Sequence, residues 1–227
     1  MGNPATVVSA VTLAFLAMAT TLPEARQSHT PTDQLPALQD PPLTQYRAFR
    51  RMHARNEKFN QEAWLEAWTE LKGQCFSYEI TSERGSDYIR TKVLKAILSH
   101  EQELVSKGEA GRADLSAENY QFEETTTAGD VRYFLLKPKR KDMLLLNGRM
   151  LVNPQGTEIL RVEGTLSKNP SFWTSLVTVV REFARLDGIR VPVSTETVAK
   201  LKFAGQAHLD VRYEYESVNG RQVGLGN

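Results

Sequence analysis

The sequence contains very little cysteine, and its charges nearly cancel. Cys75 is the one cysteine among the 227 residues. A single cysteine excludes an intrachain disulfide and a cysteine-rich zinc site. Lysine and arginine number 28 against 27 aspartate and glutamate, which leaves a formal net charge of +1. A dedicated nucleic-acid-binding protein usually has a marked basic excess, so the composition argues against a nucleic acid as partner.

Catalytic and metal-binding motifs are also absent from the sequence. No H-x-x-x-H, H-E-x-x-H or cysteine–histidine cluster occurs, and there is no G-x-S-x-G, P-loop or G-x-G-x-x-G motif. The basic stretch KPKRK (137–141) is more typical of a solvated hairpin tip than of a phosphate site. We therefore expect a protein that is not an enzyme and holds no metal or cofactor. The 4 histidines are scattered along the chain: His29, His53, His100 and His208.

The N-terminal segment lacks charge over a long apolar run. Residues Ala5 to Leu22 include no charged side chain, and the run ends near Ala17-Met18-Ala19, which has the A-x-A form of a signal-peptidase site. The run also approaches the ~20 residues that span a bilayer. No lysine or arginine precedes it, which is atypical of a signal peptide. We expect residues 1–25 to be a signal peptide or an N-terminal anchor, and the protein to be exported to the periplasm or cell envelope.

A proline-rich segment follows the apolar run. Residues 26–42 contain 4 prolines, which disfavour both helix and sheet, so this segment is predicted to be a flexible linker. The rest of the chain is long enough to form one domain with its own core. We place that domain at residues 43–220, with 221–227 as a flexible tail.

Two helices are predicted before residue 112. Trp64, Trp68 and Leu71 follow the i, i+4, i+7 spacing of an amphipathic helix, between Asn60 as N-cap and Gly73 as a left-handed stop. Residues 86–111 carry apolar side chains near helical spacing, which predicts the second helix. The short stretch 75–85 between them alternates and predicts a strand.

Short β-type segments occupy the chain from about residue 119 onward. Asn147-Gly148 is a typical two-residue hairpin turn. Three longer strands are predicted at 171–187, 189–203 and 207–217, joined by Asp187-Gly188 and Ala204-Gly205. Strands connected this tightly are antiparallel neighbours. The fold class is therefore α+β, an antiparallel meander with helices on one face.

Period-two alternation assigns the faces of these strands. Leu209, Val211 and Tyr213 share one side of the last strand, and charged side chains share the other. The strand at 171–187 is apolar on both sides, so its second face must be covered. The first predicted helix or the N-terminal arm could cover it; alternatively, the strand borders an apolar cavity or a partner surface.

Two stretches resemble a known family. LLKPKRKDMLLLNGRMLVNPQGTEILRVEGTLSKNPSFW (135–173) and GIRVPVSTETVAKLKFAGQAHLDVRYEYESVNG (188–220) look like the outer-membrane-lipoprotein-sorting-like envelope proteins, the superfamily of the periplasmic lipoprotein carrier. The resemblance covers roughly 74–220. It implies a curled antiparallel β-meander, an unclosed barrel capped by N-terminal helices, and a role in binding lipid or lipoprotein acyl chains.

Two functional hypotheses follow. In the first, the protein is a non-enzymatic envelope binding protein whose apolar cavity shelters a lipid or acyl chain. We expect the cavity to be lined by Leu160, Val162, Leu176, Val180, Val193, Leu201, Leu209, Val211 and Tyr213. In the second, the core is filled, and the protein is an interaction or sensor module of the envelope. An envelope protein partner would then bind the surface formed by Trp173, Val177, Val179 and Phe183. Both hypotheses allow peripheral contact with a membrane.

Overall fold

The structure is a computed structural model that describes residues 36–128 and 130–224. The predicted signal peptide or anchor, and the predicted linker up to residue 35, lie outside the described residues. Eleven strands form in the order β1 Gln45–Asn56, β2 Gln61–Lys72, β3 Cys75–Gly85, β4 Tyr120–Ala128, β5 Val131–Pro138, β6 Leu146–Val152, β7 Ile159–Leu166, β8 Thr174–Leu186, β9 Ile189–Leu201, β10 Gly205–Val218 and β11 Arg221–Gln222.

The strands of the described residues form one antiparallel sheet in which the chain returns to its start. The strand order is β3-β2-β1-β10-β9-β8-β7-β6-β5-β4, with β11 beside β10. β1 pairs with both β2 and β10, so the first hairpin is hydrogen-bonded to the last long strand. β3 and β4 form the two edges of this path. The sheet is therefore an unclosed, curled meander, as predicted.

Within the described residues, one helix packs against the inner side of the sheet. Helix α1 comprises Asp87–Ile89, a π-helical turn Arg90–Leu94 and the segment Lys95–Ser106. It lies on β1, β2 and β3, and its inward residues, Leu94, Ile97, Leu98 and Val105 among them, join the main core. The helix predicted from residues 86–111 is confirmed. Short 3₁₀ turns occupy Pro36–Leu38 and Ala110–Ala113.

The other predicted helix is wrong, because the residues around Trp64 form strand β2. Ala63, Leu65, Ala67, Thr69 and Leu71 are all buried on the inner face. The tryptophans therefore point to the outer face, where Trp64 stacks on His53 at 4.5 Å and Arg47 lies 4.3 Å above Trp68. Among the described residues, one helix rather than two packs against the sheet, and the predicted cap of N-terminal helices is not supported.

The predicted turn at Asn147-Gly148 is also wrong, since both residues lie inside β6. Gly148 and Gly164 are directly paired across β6 and β7. A Cβ built on Gly164 would lie 2.5 Å from the carbonyl oxygen of Asn147 and 2.8 Å from the Cα of Gly148. Glycine is required here for close backbone approach rather than for a turn.

The three long C-terminal strands form as predicted, and their inner faces build the core. Leu209 and Val211 are buried, and Tyr213 and Tyr215 pack partly buried against the same core. The hairpin turn at Asp187-Gly188 has positive φ values of 48° and 81°, as a type I′ turn requires. The charged outer side of β10 forms ion pairs with β1, between Glu216 and Arg47 and between Glu214 and Arg51.

Candidate functional site

A cleft of about 810 Å³ lies where three parts of the chain meet. One wall is the N-terminal strap, which we define as residues 36–43. The facing wall is the α1–β4 connection, residues 107–119. Phe183 of β8 and Pro192 of β9 form part of the base. The apolar lining is Leu38, Pro41, Pro42, Leu43, Leu115, Phe183 and Pro192, and the charged lining is Asp40, Arg112, Asp114, Glu118, Arg140 and Arg190.

The strap is fastened to the end of the β8–β9 hairpin. Ala37 is fully buried, its N–H donates to the Gly156 carbonyl oxygen at 3.0 Å, and its own carbonyl accepts from Arg190 at 2.8 Å. Asp40 accepts from Arg185 at 2.5 Å and lies 3.4 Å from Arg190. Residues 36–42 of the predicted linker therefore pack against the domain. The domain boundaries themselves stay a prediction.

The facing wall is held by a polar network around Asn119. The Asn119 amide donates to the carbonyl oxygens of Gly111 and Asp114 at 3.0 and 2.8 Å. Arg140 donates to Asn119 Oδ1 at 2.6 Å and to the Arg112 carbonyl at 2.9 Å. The connection is thereby tied to the end of β5, which fixes the width of the cleft.

Asp114 is the most unusual side chain of the cleft. It is buried, with an exposure of 7%. Its Oδ1 has no hydrogen-bond partner among the described residues. Burial raises the pKa of Asp114 to about 7, although Arg190 opposes the shift, and Glu118 adds to it. A buried carboxyl group with a vacant acceptor atom is suited to accept a hydrogen bond from a ligand, or to bind a proton itself.

The interior of the sheet contains a second buried polar group, which the sequence analysis missed. Arg50 of β1 donates to both carboxylate oxygens of Glu101 on α1, at 2.5 and 2.9 Å, and to the Tyr46 hydroxyl at 2.5 Å. Arg50 and Glu101 are each 1% exposed. Burial alone would lower the pKa of Arg50, but the Glu101 carboxylate raises it well above its ordinary value. This ion pair connects the helix to the sheet.

The side chains around this ion pair are buried, among them Tyr46, Met52, Ile97 and Leu98. A void of about 20 Å³ lies beside Arg181, Val162 and Phe183, which is room for about one water molecule. The cleft, in contrast, is large enough for a small organic ligand, since such sites measure about 300–1,000 Å³. We therefore place the candidate site in the cleft rather than inside the sheet.

The structure does not bring the predicted cavity residues into this cleft. Leu201, Leu209 and Val211 are buried in the core, and Val162 borders the small void. Tyr213 lies under the Arg50 guanidinium, 4.9 Å from it. Leu176, Val180 and Val193 are half-buried. The prediction that Leu160 lines a cavity is wrong. Leu160 is 38% exposed, because a register shift in the β6–β7 ladder turns it outward between Ile159 and Val162.

The predicted partner surface also needs correction. Val177, Val179 and Phe183 are buried on the inner face of β8, so they cannot bind a partner together. The face of β8 was misassigned because Arg181, a charged residue that usually marks an outer face, is buried beside them at 8% exposure. Phe183 contributes to the base of the cleft. Trp173 alone of this set lies at the surface, half-buried just before β8.

The sequence is not matched by any protein-family model or by any curated protein. The solved structures to which this chain is similar include the following two. One is a LolA superfamily protein from Nitrosomonas europaea, with 12% identity and a TM-score of 0.41, over 87% of this chain and 96% of that chain. The other is a DUF1329 family protein from Desulfovibrio piger, with 10% identity and a TM-score of 0.34, over 100% of this chain and 95% of that chain.

In 36–128 and 130–224, no group of three or more His, Cys, Asp or Glu side chains is arranged to hold a metal ion. Within the same ranges, no helix has the length and apolar character needed to cross a membrane.

Proposed function

We propose that this protein is a non-enzymatic binding protein of the cell envelope that shelters an apolar ligand, such as a lipid or a lipoprotein acyl chain, in the cleft. The observation that carries the proposal is the cleft itself: about 810 Å³, with prolines and leucines on one wall and Phe183 at the base. Each methylene group removed from water there would stabilise the complex by ~0.8 kcal/mol.

The polar side chains of the cleft favour an amphipathic ligand. Asp114 offers a buried carboxyl oxygen that is not hydrogen-bonded within the described residues, and the guanidinium groups of Arg112 and Arg190 lie along the same lining. An acyl chain would occupy the proline and leucine wall. The ligand's hydroxyl, amine or phosphate group would face Asp114 and the arginines, because buried polar groups need partners.

An exported location is part of the proposal. It is supported by the uncharged run from Ala5 to Leu22, which is typical of a secretory signal or an N-terminal anchor. N-terminal sequencing of the protein recovered from cells would show whether residues 1–25 are removed.

The proposal is tested by filling the cleft. Ala117 lines the cleft, and Ala117→Trp would place a large ring where the ligand binds. Binding of a fluorescent fatty acid should weaken by tenfold or more, since a bound chain and the ring cannot share the space. Ser77→Trp, at an exposed position of the edge strand β3, is the matched control and should bind like the unaltered chain.

Native mass spectrometry provides an independent measurement. Protein purified from the envelope should carry a lipid that Ala117→Trp loses and Ser77→Trp retains. If the purified protein carries no lipid and ignores the fatty-acid probe, the proposal fails. The alternative would then be an interaction or sensor module, which is favoured by the buried ion pair of Arg50 and Glu101 inside the sheet and by the small volume of the void beside Arg181.

A further inference from the structure

Exposed aromatic side chains are concentrated at one rim of the sheet. Phe59 lies in the β1–β2 turn, Phe172 in the β7–β8 loop and Phe203 in the β9–β10 turn, with exposures of 57%, 76% and 68%. Large apolar side chains that are exposed together in one patch often mark a binding surface. We call Phe59, Phe172, Trp173 and Phe203 the aromatic rim.

Direct contacts hold the three connections together. Trp173 lies between two phenylalanines, with ring centroids 5.5 Å from Phe172 and 5.3 Å from Phe203. The Lys202 N–H donates to the Trp173 carbonyl at 2.9 Å. The Lys58 ammonium, next to Phe59, donates to the Phe203 carbonyl at 2.7 Å. The rim is therefore one surface rather than three unrelated loops.

The rim stands on paired strands, so its position is fixed by the sheet. Asn56 pairs with Gln61 where β1 turns into β2, and Leu201 pairs with both Gly205 of β10 and Thr174 of β8. The Asn56 side chain also donates to the Ala204 carbonyl at 3.0 Å. The aromatic side chains thus project from rigid turns.

The charges of the rim are mainly positive. Lys58, Lys168 and Lys202 are exposed there, and the Lys202 ammonium lies 3.7 Å from the centroid of the Phe172 ring. The acidic residue of the β1–β2 turn, Glu57, has a carboxylate oxygen 2.8 Å from His208 Nε2. Exposed lysines beside aromatic rings match the boundary of an anionic bilayer, where rings enter the headgroup region and ammonium groups contact phosphates.

We propose that the aromatic rim docks the protein onto an anionic lipid bilayer, with Phe59, Phe172 and Phe203 inserted among the headgroups. A bilayer accommodates side chains that project from separate turns, because lipids rearrange around them. A protein partner would need matching pockets for each ring. The lysines supply the electrostatic attraction, so docking weakens as salt rises. This inference does not depend on the cleft.

A fluorophore placed on the rim tests the proposal in the full chain. In a Cys75→Ser background, the dye NBD is attached at Phe172→Cys, and in a matched control at Leu160→Cys. Leu160 is likewise exposed, at 38%, but lies in β7 away from the rim. With vesicles of phosphatidylglycerol and phosphatidylcholine, emission at position 172 should rise several-fold and shift to the blue, while emission at 160 stays nearly constant. Local emission reports the rim and not attachment through residues 1–25.

Charge reversal completes the test. Lys168→Glu with Lys202→Glu should reduce the response at position 172 several-fold, and vesicles of phosphatidylcholine alone should give little response. The proposal is overturned by an unchanged signal at 172 with anionic vesicles, by an equal rise at 160, by equal responses to neutral and anionic vesicles, or by insensitivity to the charge reversal. An unchanged signal would indicate a protein as the occupant of the rim.

Discussion

The free energy of unfolding depends on the protonation of the buried Asp114 carboxyl group. Its pKa is about 7 in the folded chain, against an ordinary value of 3.8. Between these two values the folded state keeps a proton that the unfolded state has lost, so the contribution of Asp114 to stability falls as the pH rises through this window. Each unit of pKa corresponds to ~1.4 kcal/mol, which makes the full effect about 4 kcal/mol at most.

Asp114→Asn should therefore stabilise the protein more at pH 8 than at pH 5, because the amide cannot acquire the buried charge. Urea denaturation of both chains at the two pH values measures the difference. Equal changes in the free energy of unfolding at both values would show that the Asp114 carboxyl does not titrate in this window.

The Arg50–Glu101 ion pair gives a second prediction for single residues. Glu101→Gln leaves the Arg50 guanidinium buried without its counter-charge, and breaking such a pair typically costs ~3–5 kcal/mol. The matched control is Glu103→Gln on the same helix. Glu103 forms an exposed pair with Lys107, and such pairs contribute up to ~1 kcal/mol. Guanidinium denaturation should separate the two variants, and similar losses for both would contradict the structural role given to Arg50.

At the scale of single residues, the sequence predicts the burial of some side chains and not of others. The burial of Leu209 and Val211 could be predicted from the sequence, because apolar and charged side chains alternate there without exception. The burial of Arg50, Glu101 and Asp114 could not, since charged residues are usually solvated and their burial depends on partners distant in sequence. Arg50 and Glu101 are 51 residues apart.

At the scale of elements, two periodicities compete in the segment that became β2. Trp64, Trp68 and Leu71 fit a helix, but the buried side chains, from Ala63 to Leu71, recur at every second residue. That period of two was present in the sequence and marks a strand. Tertiary context decided between the two patterns, because β2 is hydrogen-bonded to β1 and β3 along its length.

The glycine pair between β6 and β7 yields an element-scale prediction. Gly164→Ala would press a methyl group against the backbone of Asn147 and Gly148, so the ladder must shift, at a cost of ~1–3 kcal/mol. Gly224→Ala, where nothing lies within 4 Å of the added carbon, should change stability little. Thermal unfolding compares the two. A Gly164→Ala chain that melts with the unaltered one would show that β6 and β7 can separate without penalty.

Irregular registers explain why faces were harder to predict than strands. The ladders of β8 shift register near Thr174 and again at Glu182–Phe183, and the β6–β7 ladder shifts at Leu151–Val152. The shift near Thr174 changes which alternate residues of β8 face the core, and the β6–β7 shift does the same in β7 between Ile159 and Val162. The shift at Glu182–Phe183 leaves the buried side of β8 unchanged. A strict count of every second residue fails after such a point, which is how Leu160 was placed inside.

At the scale of the whole molecule, the cleft and the aromatic rim belong to different regions of the sheet. The cleft involves the strap at the start of β1 and the end of β8, whereas the rim is built on the end of β1 and the start of β8. Neither could be predicted from local sequence, because each combines segments that meet only when the sheet has formed. The strap in particular was predicted to be part of a linker because of its prolines. Its contacts with Arg185 and Arg190, which are distant in sequence, could not be predicted from that composition.

The pairing of β1 with β10 has a consequence for how the chain reaches this state. Residues 45–56 are synthesised long before residues 205–218, so β1 must remain without its β10 neighbour until the later segment has been made. Until then the outer hydrogen-bonding groups of β1 are open to other chains. This sheet can therefore form completely only after residue 218 has been synthesised, and a chain truncated before residue 205 would leave β1 without its β10 partner.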